Sequence, residues 1–592
     1  MSAQSAIFNP TQTTSAATGD GFSVPRLTTT GRLAIVFGTG DSGMMVYDTT
    51  LNNLFIWNGT AWASVPDSGD SSNEQVIFND NGVLIGDPGL LFNKTTDKLT
   101  VSGTVEIWDG AGSGADNVGV GRLALALQTT GASNTAVGFN SGNNLTTGAS
   151  SAFLGKNAGS GVNTGSNNVA VGVDSLSTSG PQVHSGDNNI AVGNSALFSG
   201  QSITGANNVG IGTDTLRSLS TGTGNAVLGK RSGNLVTTGS YNVAAGENSG
   251  DRITTGLSNV AIGVDTLSGT QNITGTNNIG IGSGTMYCIG TAALSGSNNI
   301  AIGDSAGRRI TTGANNYFIG TNAGLSANDI QASGNIGVGL NVFRNLTTGT
   351  NNIAIGENAG NLATTAVTNV AVGYYAGERN IIGTNSVAIG TQALRLSSVD
   401  NNVAVGAFAL VANTIGIQNT AVGRSAFAAI TGANNNTGLG FNAGANTAGS
   451  NNTAIGMNAL ALSTSGSDNT AVGTSALGSS AATGDANVVV GTGAGAALLA
   501  GSSNTFIGTG AGANGTTANA NICIGREANL AAAGNANTLN IGSATYFVAT
   551  NGAAATYFPT AGAGAVIAPG TVLGFIRLRL NGTLLKLAVY PD

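Results

Sequence analysis

Apolar residues in this chain keep a long beat. From residue 117 to 542 a run of Asn, aliphatic, Ala or Gly, aliphatic, Gly returns repeatedly, as in Asn351-Asn352-Ile353-Ala354-Ile355-Gly356. The closing glycine recurs at 25 positions from Gly121 to Gly542, and 16 of the 24 spacings are 17 residues. A period that regular predicts a solenoid, which grows by adding rungs rather than separate cores. Seventeen residues hold two short strands and two turns, whereas helical repeats need about 33 residues or more. The expected fold class is therefore all-β: an elongated parallel β-roll of 25 rungs. At about 4.8 Å per rung it would extend roughly 115–120 Å.

Alternation along a strand sends successive side chains to opposite faces. In Asn168-Val169-Ala170-Val171-Gly172, Val169 and Val171 share one face and Ala170 takes the other. The aliphatic pair is assigned to the roll core, as are Ile353 and Ile355. The small residue is assigned to the outside, where Ala261, Ala301, Ala354, Ala371, Ala388, Ala404, Ala421, Ala454 and Ala471 match Ala170. A solvent-facing slot would accept Lys, Glu or Thr. One that stays small predicts close approach of a second chain, so these alanines are the expected chain–chain interface. The plainer reading, that small residues suit a flat strand, stays open. Gly356 and its counterparts permit a tight corner. Asn352 and its counterparts are expected to form an amide ladder along the axis. The second half of each repeat, such as Asn358-Ala359-Gly360, is expected to supply a return strand.

The ends leave the pattern. Residues 1–66 form a separate module in which Gly43–Thr50 and Leu54–Trp62 pair as strands around Asn52-Asn53 and Asn58-Gly59 turns. Residues 67–73 are small and polar and predict a linker. Short strands over residues 74–116 are expected to cap the first rung, because a solenoid end exposes unpaired strand edge. The roll occupies 117–542. In 543–592, two apolar runs flank Asn581-Gly582 and predict a terminal β-hairpin that clamps on copies in other chains.

Composition narrows the function classes. Charged residues are 8% of 592, the net charge is −7 and there is no basic stripe, which speaks against nucleic acid. No run of about 18 apolar residues predicts membrane insertion. Collagen is excluded by only 8 prolines and no Gly-X-Y period. Cys288 and Cys523 imply no disulfide framework. Met1–Val24 lacks both Lys/Arg and a continuous apolar run, so a Sec-type leader is not expected.

The Asn-Val-Ala-Val-Gly and Asn-Ile-Ala-Ile-Gly units resemble the head repeats of trimeric autotransporter adhesins, the YadA-like left-handed parallel β-roll. That resemblance spans about 420 residues, and it is what implies left-handedness and a homotrimer. Such an adhesin also needs a coiled-coil stalk and a membrane anchor, and neither pattern is visible. The ends are instead similar to bacteriophage tail-fibre modules, through Pro25–Thr29, Gly43–Asp48, Trp57–Trp62 and Phe92–Val101. This second resemblance implies that the N-terminal module docks on a virion baseplate or on another fibre or adaptor protein. It implies that the opposite end points outward, towards host cell-surface polysaccharide or protein.

Candidate chemistry is sparse. His184, in a 21-residue repeat, has no Cys, His or carboxylate cluster around it and is expected in a solvated loop. Met286 and Tyr287 fall in another 21-residue repeat and, with His184, are the candidate surface-binding loop residues, since extra residues in a solenoid go to loops. Gly491-Thr492-Gly493 and Gly508-Thr509-Gly510 lack the strand-to-helix context of a phosphate loop. Acidic residues are scattered rather than set 5–10 Å apart across a substrate. No catalytic residue, cofactor or metal is expected. The expectation is a structural tail fibre of a phage virion that mediates host attachment. A bacterial surface adhesin and a polysaccharide-degrading tailspike are the alternatives.

Overall fold

The computed structural model describes residues 24–36, 44–64, 74–80, 83–93, 98–101, 105–108, 116–289, 292–478, 481–530, 533–534, 536–542, 544–548, 574–580 and 583–589. The linker expected at 67–73 lies outside the described residues. The described chain is all-β apart from one five-residue helix.

The N-terminal module is a four-stranded mixed sheet. It contains β1 (Arg26–Leu27), α1 (Thr29–Leu33), β2 (Met45–Asp48), β3 (Asn53–Trp57) and β4 (Trp62–Ser64). β1 runs parallel to β2, and β2, β3 and β4 are antiparallel. Asn52 and Gly59 take positive φ in the two turns. The helix was not foreseen, because Thr-Thr-Gly-Arg-Leu is a poor helix former. It is held by the Thr28 side chain, which accepts from the Gly31 N–H, and by Arg32.

β5 (Glu74–Asp80), β6 (Val83–Asn93), β7 (Lys98–Val101) and β8 (Val105–Trp108) form an antiparallel meander. β8 pairs antiparallel with β9 (Val118–Val120), so the edge of the first rung is paired. Twenty-five short strands follow, from β9 to β33 (Thr538–Ile541), one per repeat. β34 (Ala544–Val548) turns back antiparallel on β33. β35 (Gly574–Leu580) and β36 (Thr583–Val589) pair as the hairpin expected around Asn581-Gly582.

The chain divides into two compact units, 1–316 with 328–331, and 317–327 with 332–592. Each contains a parallel β-solenoid in which consecutive strands pair without register shift. In the second unit, for example, Ile353 pairs with Val370 and Val370 with Val387. Each rung has a single strand of three residues, four in the last. The expected return strand is replaced by turns, with isolated bridges such as Val162–His184.

The facing of the strands is the reverse of the expectation. Ala354 is fully buried within its own chain, while Ile355 is 41% exposed and Ile353 is half-buried. Ala170, Ala261, Ala301, Ala371, Ala388, Ala404, Ala421, Ala454 and Ala471 are likewise interior, and Val169 and Val171 look outward. The alanines therefore cannot form an interface between chains, and the aliphatic pairs are not the roll core.

The physical reason is the opposite wall of the same roll. From Gly119 to Phe506, the residue six positions after each strand centre also points inside, and the two share one narrow space. Where the centre is Ala or Gly, the partner is often large: Ala170 with Leu176, Ala404 with Leu410, Gly337 with Phe343. Where the centre is Phe, the partner is Gly: Phe153 with Gly159, Phe318 with Gly324, Phe506 with Gly512. A Cβ on Gly159 would come within 2.5 Å of Phe153 ring carbons. The slot stays small because interior volume is conserved. Large partners such as Leu410 sit at φ near 50°, a conformation disfavoured by about 1–2 kcal/mol for L-residues. Full burial of the side chain, about 1.5–3 kcal/mol, offsets it.

Corner glycines and the amide ladder match expectation. Gly356 has φ 127°, and a Cβ there would meet the Gly373 carbonyl of the next rung at 2.7 Å. Asn335 Oδ1 accepts from the Asn352 backbone N–H and side-chain amide, each at 3.0 Å. Asn352 Oδ1 accepts in turn from Asn369.

Candidate functional site

The candidate site is a surface rather than a pocket. On the outer face of each strand, in-register pairing stacks the flanking residues into two columns. The second column includes Leu154, Leu228, Ile262, Ile355, Ile389 and Ile507, all more than a third exposed, with Leu228 at 55%. Side chains in such a column recur about every 4.8 Å. Within each unit this makes a continuous apolar stripe, and exposed stripes longer than a few hundred Å² mark contact sites.

The N-terminal module supplies a second element. Arg32 is 5% exposed and its Nε lies 2.9 Å from Asp48 Oδ2. The guanidinium sits 3.6 Å from the Phe55 ring centroid, and Trp62 Nε1 donates to the Arg32 carbonyl at 3.0 Å. Burial pushes the Asp48 carboxyl up. The Arg32 guanidinium, the Thr29 hydroxyl and the Leu51 and Thr50 N–H groups outweigh it and hold the pKa at about 2. Four donors converge on this one carboxylate, which fixes the helix against the sheet.

Residues 5–82 match the family model of a phage tail like trimerisation region. No curated protein and no solved structure matches the chain. The match covers the N-terminal module and the start of the meander, well under half of the chain. It supports a phage tail fibre with a structural role, a virion component and a homotrimer.

The sequence-predicted site residues are not brought together. His184 is 1% exposed, inside the roll rather than in a solvated loop. Gly161 leaves the space for its ring, since a Cβ there would lie 2.5 Å away. Met286 is fully buried, six residues after Gly280, and its Cγ lies 3.5 Å from where a Cβ on Gly307 would stand. Only Tyr287 reaches the surface, with the Arg308 guanidinium 5.6 Å from its ring centroid. Neither His184 nor Met286 can contact a surface ligand.

The remaining polar chemistry is quiet. Burial, with the Asp329 carboxylate adding to it, pushes the Cys288 thiol up to about 12, and burial pushes Cys523 up to about 11. A small cavity of about 20 Å³ lies among Phe343, Asn352, Ala371, Gly377 and Ser397, room for about one water. It occurs where Ala354 and Ala371 both face glycines, Gly360 and Gly377, so neither wall fills the roll. No group of His, Cys, Asp or Glu that could hold a metal ion occurs among the described residues. No described helix is long and apolar enough to cross a membrane.

The residues that sequence reasoning misplaced are the outward aliphatics. The signal that could have placed them is the pairing of Phe with Gly six residues on.

Proposed function

We propose that this chain forms the shaft of a homotrimeric phage tail fibre, with the outward aliphatic columns of three rolls packed against one another. The observation that carries this reading is the apolar stripe, seen as Val169 and Val171 or Ile353 and Ile355 and kept in the second column where Thr takes the first, as in Thr453 and Ile455, on a chain whose N-terminal segment matches a trimerisation region. Three identical stripes around a shared axis leave no copy's stripe in water, which closed rotational symmetry achieves. The likeness of the repeats to a YadA-like head supports the same arrangement.

In this reading the N-terminal module docks on the virion, and the solenoid carries the far end to the host surface. Weak contacts at that end are presented three times, so attachment gains from effective concentration rather than from one tight site. The scarcity of charge in the repeats suits a scaffold, and specificity belongs to the ends.

Light scattering of the folded protein tests the assembly and is expected to return three chain masses; a single chain mass removes the reading. Purified fibre added to host cells is expected to slow virion adsorption in proportion to its concentration. Unchanged adsorption at saturating fibre would reject the attachment role while leaving the structural one.

A further inference from the structure

His184, the chain's sole histidine, lies in the 21-residue rung that ends at Gly193. Its main chain is tied to the preceding rung: His184 N–H donates to the Gly161 carbonyl at 2.7 Å, and Asn163 N–H donates to the His184 carbonyl at 2.9 Å. Its ring is tied to its own rung and to the next. The Ile203 N–H donates to Nδ1 at 3.0 Å, so Nδ1 must carry a lone pair. Nε2 lies 3.1 Å from the Ser177 carbonyl, which can only accept, so Nε2 carries the proton. Only one tautomer of the neutral imidazole satisfies both partners.

We propose that His184 is an acid-sensitive latch: as the neutral ring it joins three successive rungs, and as the imidazolium it releases them. Protonation takes one proton from solvent onto Nδ1 and uses the lone pair that Ile203 N–H needs. Two N–H groups then face each other inside the roll, and a buried amide loses its acceptor. No compensating charge is at hand. Gly161, Val162, Asn163, Ser177 and Ile203, which pack or pair against the residue, have no ionisable side chain. Asp187, the nearest acid along the chain, is exposed, and its Oδ1 accepts from the Ser166 N–H.

Burial holds the His184 pKa below its ordinary 6.5, and the Ser177 carbonyl only partly counters this. A base with a lowered folded pKa binds fewer protons folded than unfolded. Its contribution to stability is therefore complete above 6.5 and is lost progressively as pH falls from there through the lower folded value. The opening is local, because each solenoid rung depends mainly on its neighbours.

The test is hydrogen exchange on the full-length protein at about pH 7.5 and about pH 5, corrected for the intrinsic pH dependence of exchange. Protection over residues 161–205 is expected to fall at least about tenfold at the lower pH. His184→Gln, which can donate and accept without titrating, is expected to abolish that pH dependence. Equal protection at both pH values, or the same loss in His184→Gln, overturns the proposal. Should that variant fail to fold, NMR titration of the sole histidine in the wild-type protein decides. A midpoint below 6.5 supports the latch, and one at or above 6.5 overturns it.

Discussion

The N-terminal sheet and a solenoid rung hold themselves together in opposite ways. In the sheet, specificity is concentrated: one carboxylate, Asp48, collects the Arg32 guanidinium, a threonine hydroxyl and two backbone N–H groups, and aromatic rings close over the guanidinium. In the rung it is distributed. Asn352 makes the same bonds as Asn335 and Asn369, and the interior is a shared volume filled from either wall. A concentrated core fails as a whole when one group is removed. A distributed one fails rung by rung.

The largest expected effect tests the concentrated side. Asp48→Asn removes the charge that Arg32 is buried against, and breaking such a pair strands the remaining ion. The expected outcome is loss of the module's fold, read as red-shifted emission from Trp57 and Trp62, with the solenoid's circular dichroism unchanged. Acid should act on the same group. Its pKa is held at about 2 against an ordinary 3.8, so its contribution is complete above 3.8 and lost as pH falls towards 2. The two regions should thus separate in an acid titration. The rung around His184 loosens below 6.5, while the sheet persists down to strong acid.

Next in size is the interior volume. Phe153→Ala leaves a void that Gly142 and Gly159 cannot fill, at a cost of about 3–5 kcal/mol in the neighbouring rungs, measured by hydrogen exchange. Adding Gly159→Leu moves the volume to the opposite wall, the arrangement Ala170 and Leu176 already use, and should recover most of the loss. Failure to recover would mean that the two walls are not interchangeable. Asn352→Leu is smaller. It strips the acceptor from the Asn369 N–H and the donor from the Ala366 carbonyl, for about 1–3 kcal/mol, again confined to adjacent rungs.

These contrasts explain what could be read from the sequence. The 17-residue beat, the corner glycines and the asparagine ladder were legible because each rests on a local rule repeated many times. The paired strands around Asn58-Gly59 and Asn581-Gly582 were legible for the same reason. Facing was not, because alternation separates two faces without saying which is inside. The inference from size went wrong because a narrow interior and a close neighbour both demand small residues. His184 and Met286 were misplaced because longer repeats suggest loops, whereas Met286 holds the regular inward position six after a strand centre and His184 is bridged to Val162 inside the roll. Arg32 and Asp48 were missed because 16 residues separate them and neither belongs to a motif.

The smallest effect on the folded chain carries the most information about assembly. Replacing Ile353, Ile355, Val370, Val372, Val387 and Ile389 by Ser changes only outward positions of three consecutive rungs. Each exposed substitution should alter the stability of the isolated roll by no more than about 0.5 kcal/mol. If these columns are the faces that meet, the concentration at which the trimer dissociates should still rise at least about tenfold, or ~1.4 kcal/mol of association free energy. Ala354→Leu makes the complementary control. It overfills the interior by about 1–3 kcal/mol and should leave the association constant alone. Sedimentation velocity across a dilution series reads both. Were the serine variant to keep its association constant while Ala354→Leu lost it, the strand facing would have to be reversed again. Were neither to change, the chains would meet through the N-terminal module alone, and the stripe would need another partner.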